Sequence, residues 1–125
     1  METHIKQFLL NADSKALATL SRDGAINVVP VSSIKIIEDK IVLVNYFMEK
    51  TLDNILSNDN IALVAWSGMA GYQVKGKAEY RTSGDTFDMV TSWIRETIPG
   101  RVVKGVLIIE SAEVYNVAPD KKRPE

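Results

Sequence analysis

Cysteine is absent from this 125-residue chain, and histidine occurs once, at His4. The first absence removes disulfides, thiolate metal centres and cysteine nucleophiles together. The second leaves too few imidazoles for a histidine-rich metal site. It also puts the sole imidazole near the start of the chain, where a nucleophile–histidine relay is hard to build, so hydrolysis of the usual kind is not expected. Charge of one sign is equally scarce. Fifteen Lys and Arg stand against 16 Asp and Glu, a net charge of −1, which gives no global field to recruit nucleic acid. The densest basic run, Lys121-Lys122-Arg123, lies between Pro119 and Pro124. It reads as part of a solvated, flexible tail over 118–125. No apolar run approaches the roughly 18 residues that cross a bilayer; Ile61 to Trp66 and Val106 to Ile109 have only strand length. The opening residues, with Glu2 and His4, lack the basic start and long apolar centre of a signal peptide. A cytoplasmic chain that binds neither nucleic acid nor membrane is the expectation.

What is present is a 46% hydrophobic composition, enough for one domain spanning 1–125 with a modest core. Ile5, Phe8, Leu9 and Ala12 share one helical face, so 2–12 reads as an opening helix. Lys15 to Arg22 reads as a strand ending in Asp23-Gly24, a dipeptide suited to a two-residue hairpin turn. Ala25 to Ile37 then runs extended, with Pro30 marking an edge, a bulge or an opening in the ladder. After the polar turn Glu38-Asp39-Lys40, Ile41 to Phe47 makes a third consecutive antiparallel strand. Thr51 to Leu56 has helical spacing, and Ile61 to Trp66 is a fourth strand. Gly68 and Gly71 punctuate a loop, and in the fifth strand, Tyr72 to Thr82, Val74, Gly76, Ala78 and Tyr80 share one face. Ser83-Gly84-Asp85 offers capping residues for a helix through Phe87, Val90, Trp93 and Ile94. Val102 to Val117 closes the chain as a strand-rich segment bent near Gly105 and Ser111-Ala112. A meander of this kind must cover or close its edges, and in a small domain a barrel does so. The expected class is mainly β, a barrel with short helices.

The segment with most chemistry is Met48-Glu49-Lys50-Thr51-Leu52-Asp53-Asn54-Ile55, where a strand hands over to a helix. Backbone N–H groups at a helix start lack intrahelical partners, and the helix dipole adds partial positive charge there. With a lysine and a threonine hydroxyl beside them they suit a phosphate. Elsewhere the residues read as packing. Val28 to Val31 is core strand, Tyr46 and Phe47 are strand-end aromatics, Tyr72 anchors a glycine loop, and Trp66 and Trp93 fill a core or an interface.

The hairpin turned at Asp23-Gly24, the strand Val28-Val29-Pro30-Val31-Ser32, and the strand ending in Met48-Glu49-Lys50-Thr51 before Leu52-Asp53-Asn54-Ile55 together resemble a known family. The pattern is similar to the flavin-binding split barrels related to pyridoxamine 5′-phosphate oxidase, and most similar to the short bacterial FMN-binding members. The likeness runs over essentially the whole chain, including Gly76 to Gly84 and Val106-Leu107-Ile108-Ile109. It implies a homodimeric split barrel with FMN at the dimer interface. Lys50 and Thr51 would hold the phosphate. Val28, Val29, Pro30 and Val31 would line the isoalloxazine with backbone groups, and Val44, Asn45 and Tyr46 would follow the ribityl chain and ring. Gly71, Tyr72 and Gln73 would approach from the partner subunit.

The resemblance also sets limits. The pyridoxamine phosphate oxidases carry an Arg-Leu-x-Pro motif near the C-terminus, and this chain ends in Val117-Ala118-Pro119-Asp120-Lys121-Lys122-Arg123-Pro124-Glu125, so that oxidase activity is not expected. Relatives that bind haem or the deazaflavin F420 share the barrel. Haem is disfavoured by the lack of cysteine and the position of His4, whereas the F420 phosphate could use the same basic site. The expectation is an FMN protein that passes electrons or hydride from a nicotinamide or protein donor. The alternatives are a non-catalytic ligand-binding or sensing barrel, or an F420-binding relative.

Overall fold

The computed structural model describes residues 1–119; the Lys121-Lys122-Arg123 run and most of the expected tail lie outside the described residues. Three helices and seven strands follow in the order α1 (Thr3–Asn11), β1 (Ser14–Leu20), β2 (Ile26–Pro30), β3 (Ile34–Ile37), β4 (Lys40–Asn45), α2 (Glu49–Ser57), β5 (Asn60–Ser67), β6 (Ala70–Arg81), α3 (Asp85–Thr97) and β7 (Gly105–Asn116). The strands form one antiparallel sheet ordered β2-β1-β5-β6-β7-β4-β3. No helix is long and apolar enough to cross a membrane among the described residues.

The expected continuous strand Ala25 to Ile37 is in fact two strands at opposite edges of this sheet. Only Val31 to Ser33 separates them, so the sheet must curl until its two edges meet at that seam. Val31 N–H donates to Lys15 O at 3.0 Å on one side, and Val44 N–H donates to Ser33 O at 3.3 Å on the other. The structure is therefore a split barrel, and the expected run of three consecutively paired strands is replaced by two separate hairpins.

The turns differ from expectation for local reasons. Ser21 N–H donates to Ala25 O and Gly24 N–H to Ser21 O. Three residues therefore connect β1 to β2, with only Gly24 left-handed (φ 85°), a turn followed by a glycine bulge. The two-residue turn with both centres left-handed lies instead at Glu38 (φ 51°) and Asp39 (φ 65°). Gly71 belongs to β6, paired with Trp66, and only Gly68-Met69 turns the chain there. Gly105 is the first residue of β7 rather than a bend, whereas the kink at Ser111-Ala112 is a β-bulge opposite Lys75/Gly76. α3 has no side-chain cap; Gly84 holds the cap position.

The barrel interior is filled by Leu17, Ile41, Leu43, Leu63, Val74, Leu107 and Ile109, with Leu9 of α1 packed onto it. A second cluster lies outside the barrel, where Val90 and Ile94 of α3 cover Val42, Val44 and Val106. β4 is apolar at every position from Ile41 to Val44 because both of its faces are buried. Among the described residues, the outer face of β2, β1 and β5 has no such cover. There Pro30 opposes Ala16 and Val64, and Val28 opposes Ala18 and Ala62, with Val28 61% and Ile26 75% exposed.

Candidate functional site

The start of α2 is held by β4. Asn45 Oδ1 accepts from Met48 N–H at 2.7 Å, while its Nδ2 donates to Tyr80 Oη at 3.0 Å. The next contacts turn the chain into the helix: Glu49 N–H donates to Phe47 O and Leu52 N–H to Met48 O, each at 3.0 Å. The N–H groups of Lys50 and Thr51 are left without a partner among the described residues. They stand at the positive end of the helix dipole, with the exposed Lys50 side chain beside them and no carboxylate within salt-bridge distance of it among the described residues. That is the chemistry of an anion site.

Thr51 itself points the other way. It is buried, and its Oγ1 accepts from Asn27 Nδ2 of β2 at 3.3 Å. One turn on, Asn54 Nδ2 donates to Thr19 Oγ1 of β1 at 3.0 Å, and Thr19 and Asn27 are cross-strand partners. Sequence reasoning missed Thr19, Asn27 and Asn54. Their signal was there: polar residues at inward positions of two strands, and an Asn on the apolar face of a helix.

β2 offers backbone chemistry. Val31 N–H bonds Lys15 O, so in antiparallel alternation Val29 and Asn27 also face β1, while Val28 and Pro30 direct their main-chain groups to the free edge. Pro30 has no N–H to give, so its position on that edge shows an acceptor only. A cleft of about 470 Å³ touches Val28, Val29, Pro30 and Val31, Asp13 and the start of β1 from Ser14 to Ala16, and Trp66. The four residues expected to line the flavin ring thus share one cleft, and the Asn27–Thr51 bond ties their strand to the helix start.

The other expected residues are placed elsewhere within this chain. Val44 and Tyr46 are buried in the cluster beneath α3. The Tyr46 and Ser33 hydroxyls share a 2.8 Å hydrogen bond, and the Arg101 guanidinium lies 4.7 Å from the Tyr46 ring centre. Asn45 is buried with both ends of its amide engaged. Tyr72 packs edge-on against Phe8 of α1, ring centres 5.2 Å apart. Gly71 and Gln73 lie on the outer side of the sheet, in the rows of Trp66 and of Val64, Ala16 and Pro30; Gly71 is buried there, with Val117 beside it, and Gln73 is half-buried. Three strand spacings, roughly 14 Å, separate Gln73 from Pro30 along that row. At Gly71 a Cβ would lie 2.9 Å from Ala65 O and 3.0 Å from Trp66 Cβ, so the glycine is required by the close approach of β5. No cluster of three metal-ligating side chains occurs among the described residues.

A family model described as pyridoxamine 5′-phosphate oxidase matches residues 1–123. An uncharacterised protein of Methanocaldococcus jannaschii is 33% identical over 105 residues, 81% of this chain and 70% of its own. Among solved structures, HupZ of Group A Streptococcus superposes with a TM-score of 0.84 at 24% identity, covering 95% of each chain. An FMN-binding protein from Syntrophomonas wolfei subsp. wolfei has a TM-score of 0.80 at 17% identity, covering 94% of this chain and 89% of its own. At 12% identity the same fold is found in HutZ, the haem storage protein from Vibrio cholerae (TM-score 0.73, 92% of this chain and 93% of its own). It is found again in an F420 reductase (TM-score 0.70, 92% and 98%). At these identities the structural matches establish a shared fold.

Proposed function

This chain belongs to the pyridoxamine 5′-phosphate oxidase family, and on that premise we propose that it binds FMN as a homodimer and serves electron or hydride transfer. The observation that carries the reading is the start of α2. Among the described residues two main-chain N–H groups, of Lys50 and Thr51, lack partners beside a lysine with no carboxylate in reach, and Thr51 is bonded to the strand whose edge and cleft suit a flat ring. Lys50 and the two N–H groups would hold the phosphate. The free edge at Val28 and Pro30 would meet the polar rim of the isoalloxazine, with Trp66 at the mouth. When bound, the flavin supplies redox chemistry through its ring; the protein's part is to bind, orient and keep water from it.

A second copy would cover the apolar face of β2, β1 and β5. In a two-fold pairing each patch meets its own equivalent. That arrangement would carry the partner's Gly71 and Gln73 toward the β2 cleft, which they do not reach within one chain. The electron donor would be a nicotinamide or a redox protein. Oxidation of pyridoxamine phosphate is not part of this reading.

The related folds that carry haem or F420 define the competing outcomes. Haem iron would want an axial ligand, and His4 lies on α1 against Glu2 and Tyr72, away from the cleft. F420 shares a phosphate and a flat ring, so the spectrum must separate the two. The test is the visible spectrum of the freshly purified protein and the mass of whatever denaturation releases. Flavin bands and released FMN support the reading. A haem or F420 spectrum, or a colourless protein that takes up no added FMN, overturns it. Lys50→Ala should weaken FMN by roughly ten- to a hundredfold while leaving riboflavin, which lacks the phosphate, nearly unaffected.

A further inference from the structure

We propose that Asn27 is a positioning residue for the phosphate end of the cofactor site, acting through Thr51 to fix where the start of α2 stands relative to β2. The proposal rests on the FMN reading above. Its basis is an arrangement of polar side chains in a place that apolar ones would fill. Thr19, Thr51 and Asn54 are 1%, 1% and 3% exposed, and Asn27 is half-buried among them. All four face one another where α2 lies over the β1–β2 hairpin. They make two hydrogen bonds and leave no buried side-chain polar atom without a partner among the described residues.

Apolar packing is tolerant of small rotations and slides; a hydrogen bond is not. α2 has nine residues, and its buried face carries Thr51, Asn54 and Ile55. The two polar ones are a turn apart, and each is tied to a different strand, Thr51 to β2 and Asn54 to β1. Two directional attachments on two strands set both the rotation and the axial position of the helix.

The places where these bonds fall in the chain give the arrangement its consequence. Asn27 immediately precedes Val28, the first residue on the cleft from β2, and Thr51 immediately follows Lys50. The Asn27–Thr51 bond is thus the shortest side-chain path between the ring-binding strand and the phosphate-binding helix start. Thr51 then has two duties on two sides. Its main-chain N–H has no partner among the described residues, while its hydroxyl is turned inward to Asn27. FMN, whose ring and phosphate are joined by a chain of fixed length, is sensitive to the spacing between those two segments. Riboflavin is not.

The experiment compares FMN and riboflavin affinity for the wild type, Asn27→Ala, Thr51→Val, the double variant and Thr51→Ser, with thermal unfolding measured alongside. Asn27→Ala and Thr51→Val should each weaken FMN about tenfold relative to riboflavin. The double variant should be no weaker than either single one, because both remove the same bond. Thr51→Ser, which keeps the accepting oxygen, should recover most of the affinity. If Asn27→Ala does not fold, Asn27→Ser takes its place. Additive losses overturn the proposal. So does an unchanged FMN-to-riboflavin ratio with only a lowered Tm, or an effect of Thr51→Val that Asn27→Ala does not share, which would make the hydroxyl a direct phosphate ligand. A wild type that binds no FMN defeats the parent reading itself, and is seen before any variant is made.

Discussion

The phenol of Tyr80 occupies the space that a side chain at Gly105 would need, and a Cβ there would overlap its hydroxyl. That hydroxyl also accepts from Asn45 Nδ2, and Asn45 Oδ1 in turn holds the Met48 N–H at the head of α2. The contact between β6 and β7 is thereby carried, through one amide, to the helix start that forms the candidate anion site. Gly105 is buried and Tyr80 half-buried, so a Cβ at 105 must displace the ring that Asn45 holds.

Gly105→Ala should therefore destabilise the fold by about 1–3 kcal/mol, the usual cost of overpacking a filled core, read as a lower urea midpoint at constant slope. Tyr80→Phe keeps the ring and removes only the bond to Asn45, a loss of about 0.5–1.5 kcal/mol. An unchanged midpoint for Gly105→Ala would mean that Tyr80 swings away freely and does not hold Asn45.

The elements of the fold were largely legible because they rest on local periodicity. α1, α2, α3 and five of the strands follow from apolar spacing, and the alternation of Val74, Ala78 and Tyr80 against Lys75, Lys77 and Glu79 gave the inner face of β6 correctly. Pairing was less legible. Nothing between Ala25 and Ile37 marks Val31 to Ser33 as the seam of a barrel, since neither strand edge is a property of its own residues. Asp23-Gly24 and Glu38-Asp39 exchanged roles for a related reason. The left-handed pair is the one without glycine, held by contacts to α1 that no local rule contains. At the candidate site, the sequence marks Lys50 and Thr51 by their position at a helix start, but not that the Thr51 hydroxyl turns inward to Asn27. Asn27 escaped because its partner lies 24 residues away.

The Glu38-Asp39 turn makes a prediction about pH. Lys6 of α1 bonds the Asp39 carboxylate and, with the N-terminal amine 3.3 Å away, holds it below the usual carboxylate range. A carboxylate whose folded value is depressed binds fewer protons folded than unfolded. Its contribution is present above the unfolded value, near pH 4, and is lost as pH falls through the lower folded value. Asp39→Asn tolerates the left-handed backbone equally well but lacks the charge. Its stability should match the wild type at the acid end and fall behind above about pH 4. Parallel curves across pH 2 to 7 would show that the Lys6 contact does not stabilise the turn; the comparison is best made at low salt, because the carboxylate is exposed.

The uncovered face of β2, β1 and β5 makes the last prediction. Its centre is Ala18, with Val28 and Ala62 directly opposite on either side. No helix among the described residues lies over it: α1 and α2 pack toward the barrel's inner cluster and α3 on the β4 side. A contiguous apolar sheet face with Ile26, Val28 and Trp66 exposed is what an interface between subunits leaves when one copy is viewed alone. Near a two-fold axis a substituted residue approaches its own equivalent. Ala18→Glu would then bury two like charges against each other without partners, a penalty large enough to shift the assembly to monomers at micromolar concentration. Sedimentation velocity should give a dimer for the wild type and a monomer for Ala18→Glu, with Trp66 emission moved to the red as its indole meets water. On the two-chain reading proposed above, flavin affinity should fall with it. A wild type that sediments as a monomer at high concentration would remove both the interface and the two-chain cofactor site built on it.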